Sequence, residues 1–202
     1  MAYTTIDDPS AHFQTVTYSG NGSTQSITND GNSDLKPDWL WFKSRNDTQV
    51  HQLIDTNRGI ANSLRSNGDD VENTDDPNDR LTAINSDGFS LGDDGNPNNG
   101  SNTYVCWQWK ANGGTTTTND ASATSVGSID SVYQANTTAG FSIVTYTGTG
   151  SIGSLAHGLG AVPHVMIVKN RSKSAGESWT VYHHKNTSAP ETENLQLNTT
   201  NA

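Results

Sequence analysis

Apolar residues in this chain fall in short stretches with a period of two, separated by Gly, Asn, Asp, Ser and Thr, which is the rhythm of β-strands and turns. In "DWLWFKSR", Trp39, Trp41, Lys43 and Arg45 share one face, while Leu40 and Phe42 point the other way. Both faces are apolar at its start, so this strand is expected at the centre of a packed sheet. In "TYVCWQWK", Val105, Trp107 and Trp109 line one side and Tyr104, Cys106 and Gln108 the other, which predicts a half-buried strand with a heavy aromatic face. The same pattern predicts strands at residues 13–18, 50–54, 89–91, 141–147 and 179–183. The acidic "SNGDDVENTDDPNDR" has no apolar period and reads as a surface loop. Two sheets packed face to face, an all-β sandwich, is the economical architecture.

The pattern is written twice. "FQTVTYSGNGSTQSI" from Phe13 returns as "FSIVTYTGTGSIGSL" from Phe141, and "KPDWLWFKSRN" returns as "VPHVMIVKNRS" after a two-residue adjustment. Lys43 then matches Lys169 and Arg45 matches Arg171. "VHQLIDTNRG" falls on "SWTVYHHKNT", and "LRSN" on "LQLN". This predicts a first β-sandwich unit over residues 1–110, a flexible Gly/Thr/Ser-rich linker over 111–128, and a second unit over 129–202. The second is a partial copy, without counterparts of "DGFSLG" and "YVCWQWK". The simpler expectation is that it continues in a longer protein; the other is that a second subunit supplies the missing strands.

Composition narrows the function classes. The formal net charge is -10, which argues against nucleic acid as a partner, because phosphate neutralisation needs clustered Lys and Arg. "MAYTTIDDPS" lacks the basic and apolar regions of a signal peptide, and no stretch approaches a membrane span, so membrane insertion is not expected. Cys106 is the only cysteine, which rules out an intrachain disulfide and reads as a buried strand residue.

Candidate chemistry is sparse. "GTGSIG" satisfies G-x-G-x-x-G, but "SLAHGLGAVPH" cannot open the helix a dinucleotide site needs, so a hairpin turn is the expected reading. "HGLG" is confined to the second unit and assigns no binding residue. The Asp-rich loops "GDDVENTDDPND" and "GDDGNPNNG" lack EF-hand spacing and read as solvated turns before they read as calcium sites. His51 with Asp55, or His183 with His184, lacks the nucleophile and strained turn of a triad. The chain holds only four Glu, none on a predicted strand of the first unit, so no carboxylate pair for glycoside hydrolysis is assigned. No catalytic residue, cofactor or metal ligand is assigned. Trp39, Trp41, Lys43, Arg45, Lys169 and Arg171 remain as surface or interface residues. The tryptophans are expected first in a core and second on a sugar platform or subunit interface. The cations are expected to cover a core edge with their stems, with Asp55 as a cross-strand partner in the first unit.

Taken in order, "VTYSGNGS", "PDWLWFKSR", "HQLIDTNRG", "SDGFSLG", "YVCWQWKANGG" and "NTTAGFSIVTYTGTGS" resemble a repeat domain of virion structural proteins from marine tailed phages, cyanophages and pelagiphages, of tail-fibre or tail-spike type. The resemblance implies a jelly-roll or concanavalin-like sandwich without enzymatic activity. It further implies a homo-oligomer, a trimer, in the virion, partnered by other tail proteins and touching host surface glycan. Capsid decoration and a stand-alone carbohydrate-binding module are the alternatives.

Overall fold

The computed structural model describes residues 6–74, 80–93, 95–173 and 177–199. The first unit runs β1 (Phe13–Ser19), β2 (Gln25–Ile27), β3 (Trp39–Ser44), β4 (Gln52–Asp55), β5 (Asn62–Leu64), β6 (Asn73–Thr74), β7 (Leu81–Asn85), β8 (Gly88–Leu91) and β9 (Thr103–Trp109). A sheet ordered β1-β9-β3-β4-β5-β6 packs on a smaller sheet ordered β2-β8-β7. The larger sheet sends Leu40, Phe42, Ile54 and Cys106 inward; Ile27, Leu81, Phe89 and Leu91 meet them from the smaller. Phe42 stands edge-on to Phe89, with centroids 5.3 Å apart. This is the all-β sandwich that the alternation predicts. Cys106 is fully buried at its centre, and burial pushes its thiol well above the usual range, so it serves packing.

β3 lies between β9 and β4, as expected of a strand apolar on both sides. The glycine turn after β1 is different: it carries the chain from one sheet to the other and closes no hairpin, because β1 pairs with β9 and β2 with β8. The turn is held from outside by the buried Asn98. Its Oδ1 accepts Asn21 N–H at 3.1 Å and its Nδ2 donates to Ser23 O at 2.6 Å. The second copy, "GTGSIG", likewise closes no hairpin; it leads to Leu155, which makes an isolated parallel bridge with Ile129.

The predicted linker is folded. After β10 (Thr117–Asn119), Asp120 caps a single helical turn at Ala121–Thr124, its Oδ1 accepting Ser122 N–H at 2.9 Å and Ala123 N–H at 3.1 Å. β11 (Ser131–Asn136) and β12 (Phe141–Tyr146) complete a sheet ordered β10-β11-β12. A Gly/Thr/Ser composition suggests flexibility, but the Thr run is β-branched and pairs with β11. The "HGLG" turn belongs to this sheet. Ser142 Oγ donates to His157 O at 2.6 Å, and a Cβ on Gly158 would stand 2.3 Å from the Tyr133 ring, so only glycine fits.

A fourth sheet, β13 (Val165–Val168), β14 (Thr180–His183) and β15 (Leu195–Gln196), repeats β3, β4 and β5 pair for pair. Trp39 pairs with Asp55 and Trp41 with Leu53; their counterparts Val165 and Ile167 pair with His183 and Val181. Leu53 pairs with Leu64, and Val181 with Leu195. The cap is copied too. Asn67 Oδ1 accepts His51 N–H at 3.0 Å, and Asn198 Oδ1 accepts Trp179 N–H at 2.9 Å. The sequence repeat is thus a repeat of strand register.

Candidate functional surface

Alternation places Trp39, Trp41 and Lys43 of β3, and Trp109, Trp107 and Val105 of β9, on the outer face of the larger sheet in direct cross-strand pairs. The indoles form one cluster. Trp39 and Trp109 are 4.6 Å apart, Trp39 and Trp41 5.9 Å, and Trp41 and Trp107 5.9 Å, between ring centroids. Phe13 of β1 extends it, 4.7 Å from Trp109. An unpartnered aromatic sheet face of this size would be unusual.

The second unit covers much of it. Phe141 of β12 lies over Trp39 and Trp109 at 5.9 and 6.2 Å. Trp179, just before β14, is 5% exposed and packs with Leu53, Leu64, Trp39 and Trp41. Its Nε1 donates to Arg65 O at 2.9 Å. Trp41 Nε1 donates to His51 Nδ1 at 2.8 Å, which requires a neutral imidazole; burial, helped by the Lys43 charge, lowers the His51 pKa and favours that form. Trp107 is half-buried beside exposed Thr15 and Thr17 of β1. Trp39 and Trp41 are therefore interface residues within the chain, whereas Trp107 reaches the open part of the face.

The four cations separate by role. Lys43 Nζ donates to Ser44 O at 2.6 Å and Asp47 O at 2.9 Å, closing the loop after β3. Lys169 repeats this with Asn170 O and Glu177 O, both at 3.0 Å, and also reaches Asp69 O of the first unit at 3.1 Å. Arg45 is exposed. Arg171 is an interface residue, donating to both Glu72 oxygens. Asp55 is not the partner of Lys43 or Arg45. It holds Arg58, Nε to Oδ2 at 2.5 Å, because the turn after β4 folds Arg58 back onto the strand.

Two charged networks escape a reading of the sequence. Glu72 Oε1 also accepts Arg58 Nη1 at 2.6 Å, so one carboxylate, 8% exposed, joins the two units through two arginines. Burial pushes the Glu72 carboxyl up, but the hydrogen bonds and charges of Arg171 and Arg58 outweigh it and hold it below the usual range. A depressed carboxylate contributes stability that is present above its unfolded pKa and lost as pH falls through the lower folded value. Glu72→Gln is expected to cost roughly 2 kcal/mol at pH 7 and to flatten the loss of stability expected of the native chain below about pH 4.5; urea titrations from pH 7 to pH 3 check both.

The second network centres on Asp38, which is fully buried. Its carboxylate accepts N–H from Ala111 at 2.7 Å, Gly113 at 2.7 Å and Gly114 at 2.6 Å, and the Thr56 hydroxyl at 2.8 Å. The Gln134 amide, turned with Nε2 toward Asp38 Oδ1 at 3.0 Å, adds a donor from β11. Gly113 and Gly114, at φ of 63° and 86°, give the backbone the left-handed turn that aims successive N–H groups at one anion. The "ANGG" after β9 is the signal that could have exposed this carboxylate nest.

Among the described residues, no group of three or more His, Cys, Asp or Glu side chains converges as a metal site, and no helix is long and apolar enough to cross a membrane. Residues 75–79 and Asp94 of the Asp-rich loops lie outside the described residues. His164 stacks on His184 at 4.1 Å and His184 on His183 at 5.1 Å, where β13 begins and β14 ends. A shallow depression of about 410 Å³ lined by residues 128–130 and 147–149 contains one carboxylate, Asp130, which accepts Ala121 N–H at 2.8 Å.

Residues 8–202 match the model of a family described as a domain of unknown function, DUF7483, and the chain belongs to that family. No curated protein and no solved structure matches the chain.

Proposed function

We propose that this DUF7483 chain is a non-catalytic structural and adhesive unit of a virion appendage of the tail-fibre or tail-spike type, working as a homo-oligomer with other tail proteins and contacting host surface glycan. The observation that carries this reading is the fixed coupling of its two repeats. Trp179, Phe141, Glu72 and Arg171 bury one unit against the other, which suits a part that transmits position and force. The buried carboxylates support it from the other side. Asp38, Asp55 and Glu72 are each engaged by donors of the protein, which leaves them to scaffold duties.

Glycan contact belongs on the open part of the tryptophan face, where Trp107 presents flat apolar surface bordered by Trp41, Thr15, Thr17 and Lys43. Trp107→Ala is expected to weaken retention on an immobilised bacterial surface polysaccharide by about tenfold, a loss of about 1.4 kcal/mol, while the melting temperature moves little. Unchanged retention would remove Trp107 from the contact. A stand-alone carbohydrate-binding module would use the same face as a monomer; sedimentation at high concentration separates the two, since the appendage reading requires a defined oligomer.

A further inference from the structure

The fourth sheet copies β3, β4 and β5 of the first unit's larger sheet and lacks a counterpart of β9. β3 is bonded on one side to β4 and on the other to β9, whereas β13, its counterpart, is bonded to β14 alone, and no strand lies on its other side among the described residues. β12, the counterpart of β1, is likewise paired on one side, to β11. The exposures agree. Leu40 and Phe42 are 0% and 1% exposed, while Met166 and Val168 in their places are 46% and 43%, and Val165 and Ile167 are 49% and 42%. Four consecutive apolar residues stand open on both faces of an edge strand, an arrangement that proteins otherwise avoid.

The free backbone groups can be named. His184 N–H donates to His164 O at 2.9 Å, so residues 164, 166 and 168 turn their polar backbone toward β14. By alternation, Val165 and Ile167 turn theirs to the open edge. In β3 the same parity faces β9, where Arg45 N–H donates to Thr103 O at 2.7 Å. β9 therefore shows what the edge of β13 is built to receive.

We infer that the free edge of β13 is a docking site for an extended polypeptide segment with the pattern of β9, apolar or aromatic on alternate residues, supplied from outside residues 8–202 and pairing antiparallel with β13 in the register that β9 takes on β3. Main-chain bonds to Val165 and Ile167 give affinity, and the exposed faces of β13 give the alternate side chains their pockets. This inference concerns the edge alone and does not depend on the virion reading.

The test uses the whole chain and a synthetic peptide of the β9 sequence, Thr103 to Lys110, followed by amide hydrogen exchange. The peptide is expected to slow exchange at Val165 and Ile167 by tenfold or more and to raise the melting temperature, as any ligand of the folded state does. A peptide of scrambled order is expected to do neither. Ile167→Pro removes an edge-facing N–H without touching the β14 ladder, so it should abolish the effect while Met166 and Val168 keep their protection. If that variant does not fold, a peptide N-methylated at Val105 and Trp107, whose amides face β3 in the first unit, makes the same cut. No protection at saturating peptide, equal protection by the scrambled peptide, or peptide-independent protection of Val165 and Ile167 that grows with chain concentration would overturn the inference, the last by showing that a second copy takes the edge.

Discussion

Asp38→Ala is expected to lower the melting temperature by about 10 °C, from a loss of about 3–5 kcal/mol in a chain where each kcal/mol is worth a few degrees. The carboxylate has no exposed surface, and three backbone N–H groups and a hydroxyl depend on it. Removing it strands those donors where water cannot replace the acceptor. Asp38→Asn should fall between, since its amide keeps one accepting oxygen but turns an NH₂ toward other donors. The loss should also be local. Hydrogen exchange at Ala111, Gly113 and Gly114 should rise most, because their N–H groups lose their acceptor directly. A melting temperature within a degree or two of the native chain would show that the nest is not what fixes the segment after β9. His164 holds the equivalent place in the second unit and stacks on His184 instead, so the network belongs to the first unit.

Strands with apolar alternation were legible because the period of two survives in the residues themselves. β1, β3, β8, β9 and β12 lie where the pattern puts them, and the repeat alignment of Trp39 with Val165 and Leu64 with Leu195 reappears as equal strand register. β10 and β11 were not legible. They bury polar groups, Asn119, Ser131 and Gln134, whose partners no local pattern names. The candidate surface divides in the same way. Alternation puts the four tryptophans and Lys43 on one face, but the cover over Trp39 and Trp109 comes from Phe141, remote in the chain, and Glu72 looks like any acid of a surface loop until Arg171 reaches it. The glycine turn misleads for a related reason. A Gly-rich link between strands looks the same whether it closes a hairpin or crosses between sheets, and only the partners of β1 and β2 decide.

The contact between the units carries the second large effect. Trp179→Ala removes an indole that is 5% exposed from among Leu53, Leu64, Trp39 and Trp41, and leaves Arg65 O without its donor. A cost of about 3–5 kcal/mol is expected, the usual range for deleting a large buried aromatic side chain. The form of the melting curve should change with it. The sheet of β13, β14 and β15 has little core of its own: Val165 to Val168 are all exposed, and Trp179 is its deeply buried apolar residue. Without that anchor this sheet should loosen before the first unit, giving two transitions where a single one is expected of the native chain. Amides of Met166, Val168 and Val181 should then exchange faster while those of Leu40 and Cys106 do not. Trp179→Phe, which keeps most of the packing and loses the bond to Arg65 O, should cost about 1 kcal/mol beyond its smaller volume and preserve the single transition. If Trp179→Ala instead leaves the exchange of Met166, Val168 and Val181 at its native rate, the units are held by Phe141, the Glu72 bridge and the polar contacts of Lys169 with Asp69 and of Gln134 with Asp38. The fixed coupling that supports an appendage role would then rest on the tryptophan face and on polar contacts between the units.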